Sequence, residues 1–187
     1  MVRTFISIEF DNEEIVNNVK EIQDKLKKLD ARLTLVNSNI LHSTLEFLGE
    51  ITEDQVKQVS KIIEELDFSI FRISVKQPGV LPSEKYVRVI FCKLEGDIDS
   101  LRVIQRNLRE KLRRLGYKVD SRAFKPHLTI ARVKSISNKY ELIKVINDLS
   151  EFNCGEQKIS SIKLKKSVVK STGPEYTTLY EKHAKPL

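Results

Sequence analysis

Two cysteines, three histidines and no apolar run of membrane-spanning length leave several chemistries without material in this 187-residue chain. Cys92 and Cys154 have no metal-type spacing to each other or to a histidine, and two thiols make no disulfide framework, so a reducing compartment with free thiols is expected. A membrane helix needs about 18 or more consecutive apolar residues, which are absent, and the opening MVRTFISIEF is too short and too alternating for a signal peptide. A cytosolic location follows as the expectation. No Gly-x-x-x-x-Gly-Lys run exists to cradle a nucleotide's phosphates, and Lys28-Leu29-Asp30-Ala31 lacks the glycine of a Lys-x-Asp-Gly nucleophile. ATP-dependent nucleotidyl transfer is therefore disfavoured. There is no low-complexity stretch and no interdomain linker.

What is present suits one domain, or two small lobes packed closely enough to share a substantial core. The apolar fraction is 40% and the charged fraction 32%, an ordinary balance that leans slightly towards charge. The charge is uneven. Residues 1–94 carry 13 Lys+Arg against 15 Asp+Glu, and residues 95–187 carry 20 against 11, so a near-neutral half adjoins one of net +9. A basic side points to a polyanion, with nucleic acid the first candidate; a solubility surface would leave the same trace.

Val2 to Phe10 alternates strictly and predicts a strand, with Arg3, Phe5, Ser7 and Glu9 on one face. Asp11 with Glu14 three residues on predicts a helix start, and Ile15, Val19, Ile22, Leu26 and Leu29 follow at helical spacing. A short strand at Leu33–Val36 and a turn at Asn37-Ser38-Asn39 lead into a strand from Ile40 to Leu48, which Gly49 is expected to end. Thr52 with Gln55 predicts a capped helix with Val56, Val59, Ile63 and Leu66 inward. Strands are expected at Phe68–Val75 and Tyr86–Leu94, joined by a turn-rich segment marked by Pro78-Gly79 and Pro82-Ser83.

The second half repeats the plan. Asp97 opens a helix that runs to Leu115 and stops at Gly116, with an apolar stripe of Leu101, Ile104, Leu108, Leu112 and Leu115. Arg102, Arg106, Arg109 and Arg113 form a second stripe on that helix. Val119–Ala123 is expected to be extended, and Pro126 forces extended geometry on residue 125. A helix at about 138–149 and strands near 157–169 and 176–182, parted by Gly173-Pro174, complete the chain. The expected fold class is α+β: two pseudo-symmetric lobes, each an antiparallel sheet with helices on its outer face, the sheets facing a central cleft. As one domain, 1–187, it would contain an internal repeat of approximately 1–92 and 93–187.

The repeat shows most plainly in Leu41-His42-Ser43-Thr44-Leu45, which returns as Pro126-His127-Leu128-Thr129-Ile130, the histidines 85 residues apart. On a strand, residues two apart share a face, so His42 and Thr44 project together and His127 and Thr129 do likewise. Leu41, Ser43, Leu45 and Phe47 take the other face. Two imidazoles flanking a reacting centre suit concerted acid–base catalysis of an in-line displacement, one removing a proton from the nucleophile and one protonating the leaving oxygen. The threonine hydroxyls can donate to nonbridging phosphate oxygens. His183, without a threonine two residues on, reads as a surface residue.

With these motifs in hand, the sequence resembles the 2H phosphoesterase superfamily, and within it the bacterial and archaeal RNA 2′,3′-cyclic phosphodiesterases, also called 2′-5′ RNA ligases. The resemblance covers nearly the whole chain. It is carried by Arg3-Thr4-Phe5-Ile6-Ser7-Ile8, by His42 to Glu50 with its Phe47-Leu48-Gly49, by Phe124 to Arg132, and by Gly173-Pro174-Glu175-Tyr176. It implies two similar lobes around a basic cleft, no metal and no cofactor, and hydrolysis of an RNA-terminal 2′,3′-cyclic phosphate to a 2′-phosphomonoester. His42 would be the proton donor to the 3′ oxygen and His127 the proton acceptor from water. Run in reverse, the chemistry would give ATP-independent 2′-5′ ligation. The expected partners are RNA ends bearing cyclic phosphates, tRNA halves among them, and the expected state is a monomer without membrane association.

Four more residues are candidates for substrate binding. An arginine at Arg132 is associated in this family with the phosphate site, yet strict alternation would aim it away from His127; either a bulge re-aims it or it is structural. Arg3 either lines the cleft or is solvated or salt-bridged. Phe5 and Tyr176 either stack on a nucleobase or pack the core. The arginine stripe either tracks an RNA backbone or is a solvated helix face. A rival reading makes the chain an RNA- or tRNA-end binding module in which hydrolysis is incidental.

Overall fold

The computed structural model describes residues 1–171 and 173–185. Nine strands and four α-helices occupy these residues: β1 (Val2–Glu9), α1 (Glu13–Leu26), β2 (Ala31–Leu35), β3 (His42–Ile51), α2 (Glu53–Glu64), β4 (Phe71–Ser83), β5 (Tyr86–Gly96), α3 (Ile98–Arg114), β6 (His127–Ile136), α4 (Lys139–Asp148), β7 (Gly155–Ile159), β8 (Ser161–Lys170) and β9 (Gly173–His183). The strands form two antiparallel sheets, β3-β1-β8-β9 and β2-β6-β5-β4-β7. Helices α2 and α3 pack on the outer face of the first sheet, α1 and α4 on that of the second. The expected α+β architecture of two lobes is therefore present, and strands from both ends of the chain build the first sheet. Among the described residues no helix is long and apolar enough to cross a membrane.

The helices form where apolar stripes and caps coincide. In α1, Ile15, Val19, Ile22 and Leu26 are fully buried. Its cap is Asn12, not Asp11, because the Asn12 side chain accepts from the Glu14 amide while Asp11 is turned to Gln157. Thr52 and Gln55 make the reciprocal capping box of α2, and Asp97 caps α3 by accepting from the Ser100 amide. Leu115 leaves the apolar stripe of α3: it is the residue after the last turn, 56% exposed, with the chain reversing at Gly116 (φ +81°).

Several strand boundaries move. Gly49 does not end β3; at φ +71° it accommodates an irregularity in the pairing with β1, and the strand continues to Ile51. The Pro78-Gly79 and Pro82-Ser83 segment is no connection but the second half of β4, both prolines falling at register shifts where the ladder does not demand their missing N–H. The expected strand at 157–169 divides at Ser160 into β7 and β8, which belong to different sheets. Val119–Ala123 forms no strand; the segment between α3 and β6 is irregular.

The decisive local feature occurs twice. Ile6 pairs with Glu46 and Ser7 with Thr44, so Leu45 is an extra residue in β3. Ile90 pairs with Ala131 and Phe91 with Thr129, so Ile130 is an extra residue in β6. Each bulge turns one residue pair, Leu45-Glu46 and Ile130-Ala131, towards the helices together and inverts the alternation beyond it. A glutamine buried among the apolar residues of each covering helix reaches the bulged carbonyl. Gln23 Nε2 of α1 donates to Ile130 O at 2.9 Å and to Val36 O at 2.8 Å. Gln105 Nε2 of α3 approaches Leu45 O at 3.5 Å. Replacing Gln23 by leucine removes two buried hydrogen bonds, so chemical denaturation should show a loss of about 1–3 kcal/mol in unfolding free energy.

Candidate active site

β3 and β6 are where the two sheets approach each other, with Cα atoms within 8 Å. His42 and Thr44 lie on the β3 face turned from α3, and His127 and Thr129 take the same place on β6; all four side chains are half-buried. The imidazoles are held alike. His42 Nδ1 bonds the carbonyl of Ile40 at 2.9 Å, and His127 Nδ1 bonds the carbonyl of Lys125 at 2.7 Å. A carbonyl only accepts, so Nδ1 carries the proton in both rings and Nε2 is left for other chemistry. The two motif strands are thus neighbours between the sheets.

The bulges decide what accompanies each histidine. Arg132 pairs with Val89, two residues from Phe91, the partner of Thr129. Arg132 therefore shares the face of His127 and Thr129, and the bulge at Ile130 is what re-aims it. Its charge acts on His42 and on Tyr176, both on the opposite sheet, which places it across the cleft between the lobes. The same device corrects the expectation for Phe47. It is not on the far face with Leu45; it pairs with Phe5, lies 6.2 Å from that ring and is 59% exposed on the cleft side. Phe47 and Arg132 occupy matching positions, five residues after their histidines.

The two imidazoles have different surroundings. The Phe5 ring lies 4.9 Å from that of His42, tilted by 33°, and Tyr176 meets the same imidazole edge-on at 5.2 Å. Phe5 and Tyr176 also contact each other at 5.0 Å. Phe5 is buried and packs the base of His42, so it is not free to stack on a nucleobase. Tyr176 is half-buried beside it. Among the described residues, His127 has one aromatic neighbour, Phe91, edge-on at 5.7 Å. Beneath His42, Glu9 accepts from both Lys163 and Lys165, and Lys163 also pairs with Glu181 at 3.5 Å. Burial opposes the Glu9 charge, but the two lysines outweigh it and hold this carboxyl below the usual range.

Burial is the largest influence on His42 and favours its neutral form; the bond to Ile40 opposes this, and the charges of Lys165 and Arg132 add to the lowering. Tyr176 is raised by burial, against the charges of Arg132 and Arg3. Arg3 is exposed on the same face of β1 as Phe5 and close enough to Tyr176 to act on it, so it stands at the rim of the cleft. The arginine stripe of α3 does not stay together: Arg109 turns in to Glu46 at 2.9 Å, while Arg102 pairs with Asp99 on the exposed face. Glu46, Phe91 and the Glu9–Lys163–Lys165 cluster were not among the expected site residues, and Phe47 was expected on the other face. For Phe47, the matching offset of five from each histidine was the available signal. Among the described residues, no three His, Cys, Asp or Glu side chains gather in a way that could hold a metal ion.

Residues 4–183 match the family model described as the AKAP7 2′5′ RNA ligase-like domain. The chain belongs to this family, the 2H phosphoesterases. Within it, the sequence is 34% identical over 182 residues to a Thermotoga maritima protein named RNA 2′,3′-cyclic phosphodiesterase, covering 96% of this chain and 94% of that one. A Methanocaldococcus jannaschii protein of the same name is 33% identical, with 96% and 99% covered. Among solved structures, a Thermus thermophilus protein superposes with a TM-score of 0.81 at 27% identity over 97% of both chains. Escherichia coli LigT with 3′-AMP gives 0.78 at 22% identity over 98% of both, a likeness of fold.

The depressed His42 pKa is also a statement about stability. The folded protein resists charging this imidazole, so the contribution of neutral His42 is complete above the unfolded value near 6.5 and is lost as pH falls through the lower folded value. An NMR titration of the His42 ring should give a midpoint below 6.5, and Phe5→Ala, which admits water beside the ring, should move it upward.

Proposed function

We propose that this chain is a metal-independent RNA 2′,3′-cyclic phosphodiesterase that opens the ring to a 2′-phosphomonoester. The observation that carries this reading is the matched pair of imidazoles, each with Nδ1 committed to a backbone carbonyl and Nε2 left free, on the strands where the lobes meet. The activity named for its relatives supports the substrate.

In the proposed cycle, His127 Nε2 takes a proton from water as the water oxygen bonds to phosphorus. The P–O3′ bond breaks in line, and protonated His42 delivers its Nε2 proton to the departing O3′. The products are a free 3′-hydroxyl and a 2′-phosphate. Thr44 and Thr129 donate to the nonbridging oxygens, and Arg132 offsets the negative charge that builds on them. Arg3 and Tyr176, at the rim, would contact the nucleoside rather than the reacting phosphate. The reverse course, with an RNA hydroxyl attacking in place of water, would give ligation without ATP. The 85-residue offset shared by the histidines, threonines and bulges supports an internal repeat within one domain. A monomer acting on RNA ends in the cytosol remains the simplest setting for such a site.

Incubation of 2′,3′-cyclic AMP with the protein in EDTA should yield 2′-AMP; a 3′-AMP product would reverse the roles of the bonds assigned here. His42→Ala and His127→Ala should each lower the rate by about 10²–10⁴-fold, and unchanged rates in both would remove the mechanism. A cyclic substrate with sulfur at the 3′ bridging position leaves as a thiolate and needs no proton. It should restore His42→Ala and leave His127→Ala impaired; the opposite pattern would exchange acid and base. With His42 as acid and His127 as base, kcat/KM should follow a bell-shaped pH profile, since the active form carries a proton on His42 Nε2 and none on His127 Nε2; a pH-independent rate would count against the pair.

A further inference from the structure

Glu46 is a carboxylate where the repeat leads one to expect an apolar residue. Its counterpart 85 residues on is Ala131, and the bulge at Leu45 sends its side chain to the helix side of β3, where it is 1% exposed. Nothing in the hydrolytic cycle uses it, yet its oxygens are fully engaged. Oε2 accepts from Arg109 Nε at 2.9 Å and lies 3.4 Å from Gln105 Nε2, and Oε1 accepts from the Asp120 amide at 3.1 Å. Arg109, itself only 14% exposed, donates from Nη1 to the Arg122 carbonyl at 3.1 Å. The Asp120 carboxylate in turn accepts from the Arg122 amide and guanidinium.

These bonds converge on the segment between α3 and β6. It has no strand or helix of its own from Tyr117 to Pro126, and it ends on the carbonyl of Lys125, which holds His127 Nδ1 at 2.7 Å. Outside the Glu46 group, the segment is held by Tyr117, whose hydroxyl reaches the Gln55 carbonyl at 3.3 Å and the Gln58 side chain at 3.2 Å, and by Val119 and Phe124, which pack against the core. Irregular backbone held by few bonds opens locally at little cost. Glu46 and Arg109 fix it at Asp120 and Arg122, close to the histidine. The carboxylate sits two residues beyond Thr44 on the strand that bears His42.

We propose that Glu46 is a positioning residue: through the Asp120 amide and Arg109 it ties the segment leading to His127 to the strand of His42, so that one buried ion pair sets the two imidazoles in register. Its effect on turnover rests on the hydrolase reading above; its effect on the His127 ring does not. Misplacing a reacting group by about 1 Å costs on the order of 10²-fold in rate, which sets the scale expected.

Glu46→Ala should reduce kcat on 2′,3′-cyclic AMP by about 10²-fold with little change in KM, speed amide exchange across 118–126 without affecting β1, and weaken the His127 Nδ1–H signal in nitrogen-15 spectra. Glu46→Gln keeps an acceptor for the Asp120 amide and should recover most of these. A lower melting temperature with kcat, exchange at 118–126 and the His127 signal all unchanged would overturn the proposal, as would Glu46→Gln behaving as badly as Glu46→Ala. If the alanine variant does not fold, Arg109→Lys retains the charge beside Glu46 but gives up the bond to Arg122, and it must loosen 118–126 for the proposal to survive. If the wild-type protein does not open the cyclic phosphate, the hydrolase reading fails, and the exchange and imidazole measurements still decide the positioning role.

Discussion

A strand cannot show two consecutive side chains to one face unless an extra residue is inserted, and this constraint governs the whole site. Without Leu45 and Ile130 as extra residues, alternation from the histidines would send Arg132 into the core and Phe47 beneath α3. With them, each motif strand offers His, Thr and a third residue to the cleft while keeping its back buried against the helices. The helices are committed to the same feature, since Gln23 and Gln105 are buried polar residues whose amides serve the bulged carbonyls. Lobe packing and active-site composition therefore depend on one backbone irregularity used twice.

The two motif strands match in their bulges, and their surroundings differ. His42 sits in an aromatic corner of Phe5 and Tyr176 above a Glu9–Lys163–Lys165 cluster, while His127 meets the Phe91 ring edge-on. Arg132 stands opposite Phe47, and Ala131 opposite Glu46. Two identical imidazoles in identical settings would have equal proton affinities and no preferred direction of proton flow. Here burial favours the neutral form of His42, so its surroundings as well as its residue type set the proton affinity of this imidazole.

Much of this was written in local patterns. The twin His-x-Thr strands, the Thr52–Gln55 capping box and the Asp97 cap follow from periodicity and side-chain reach, and the structure has them where they were expected. Patterns that depend on a neighbour were harder to read. Pro78-Gly79 and Pro82-Ser83 resemble turns until β5 supplies a register in which prolines fall at irregular positions. Asn12 displaced Asp11 as a cap because Gln157, 146 residues from Asp11, claims it. Arg109 looked like one member of a basic stripe, and only the fold brings Glu46 to it. A bulge leaves no composition signature, which is why Phe47 was assigned to the wrong face and Arg132 was left between two readings.

The strand order β3-β1-β8-β9 has a consequence for synthesis on the ribosome. β1 and β3 emerge first, but β1 would wait with one edge bare until residues 161–170 arrive, whereas the other sheet needs nothing beyond Ile159. The lobe containing the chain's first strand is thus the last to close. Nascent protein would spend most of its elongation with one histidine on an unfinished template, a period in which an unpaired edge invites wrong partners and holdase chaperones.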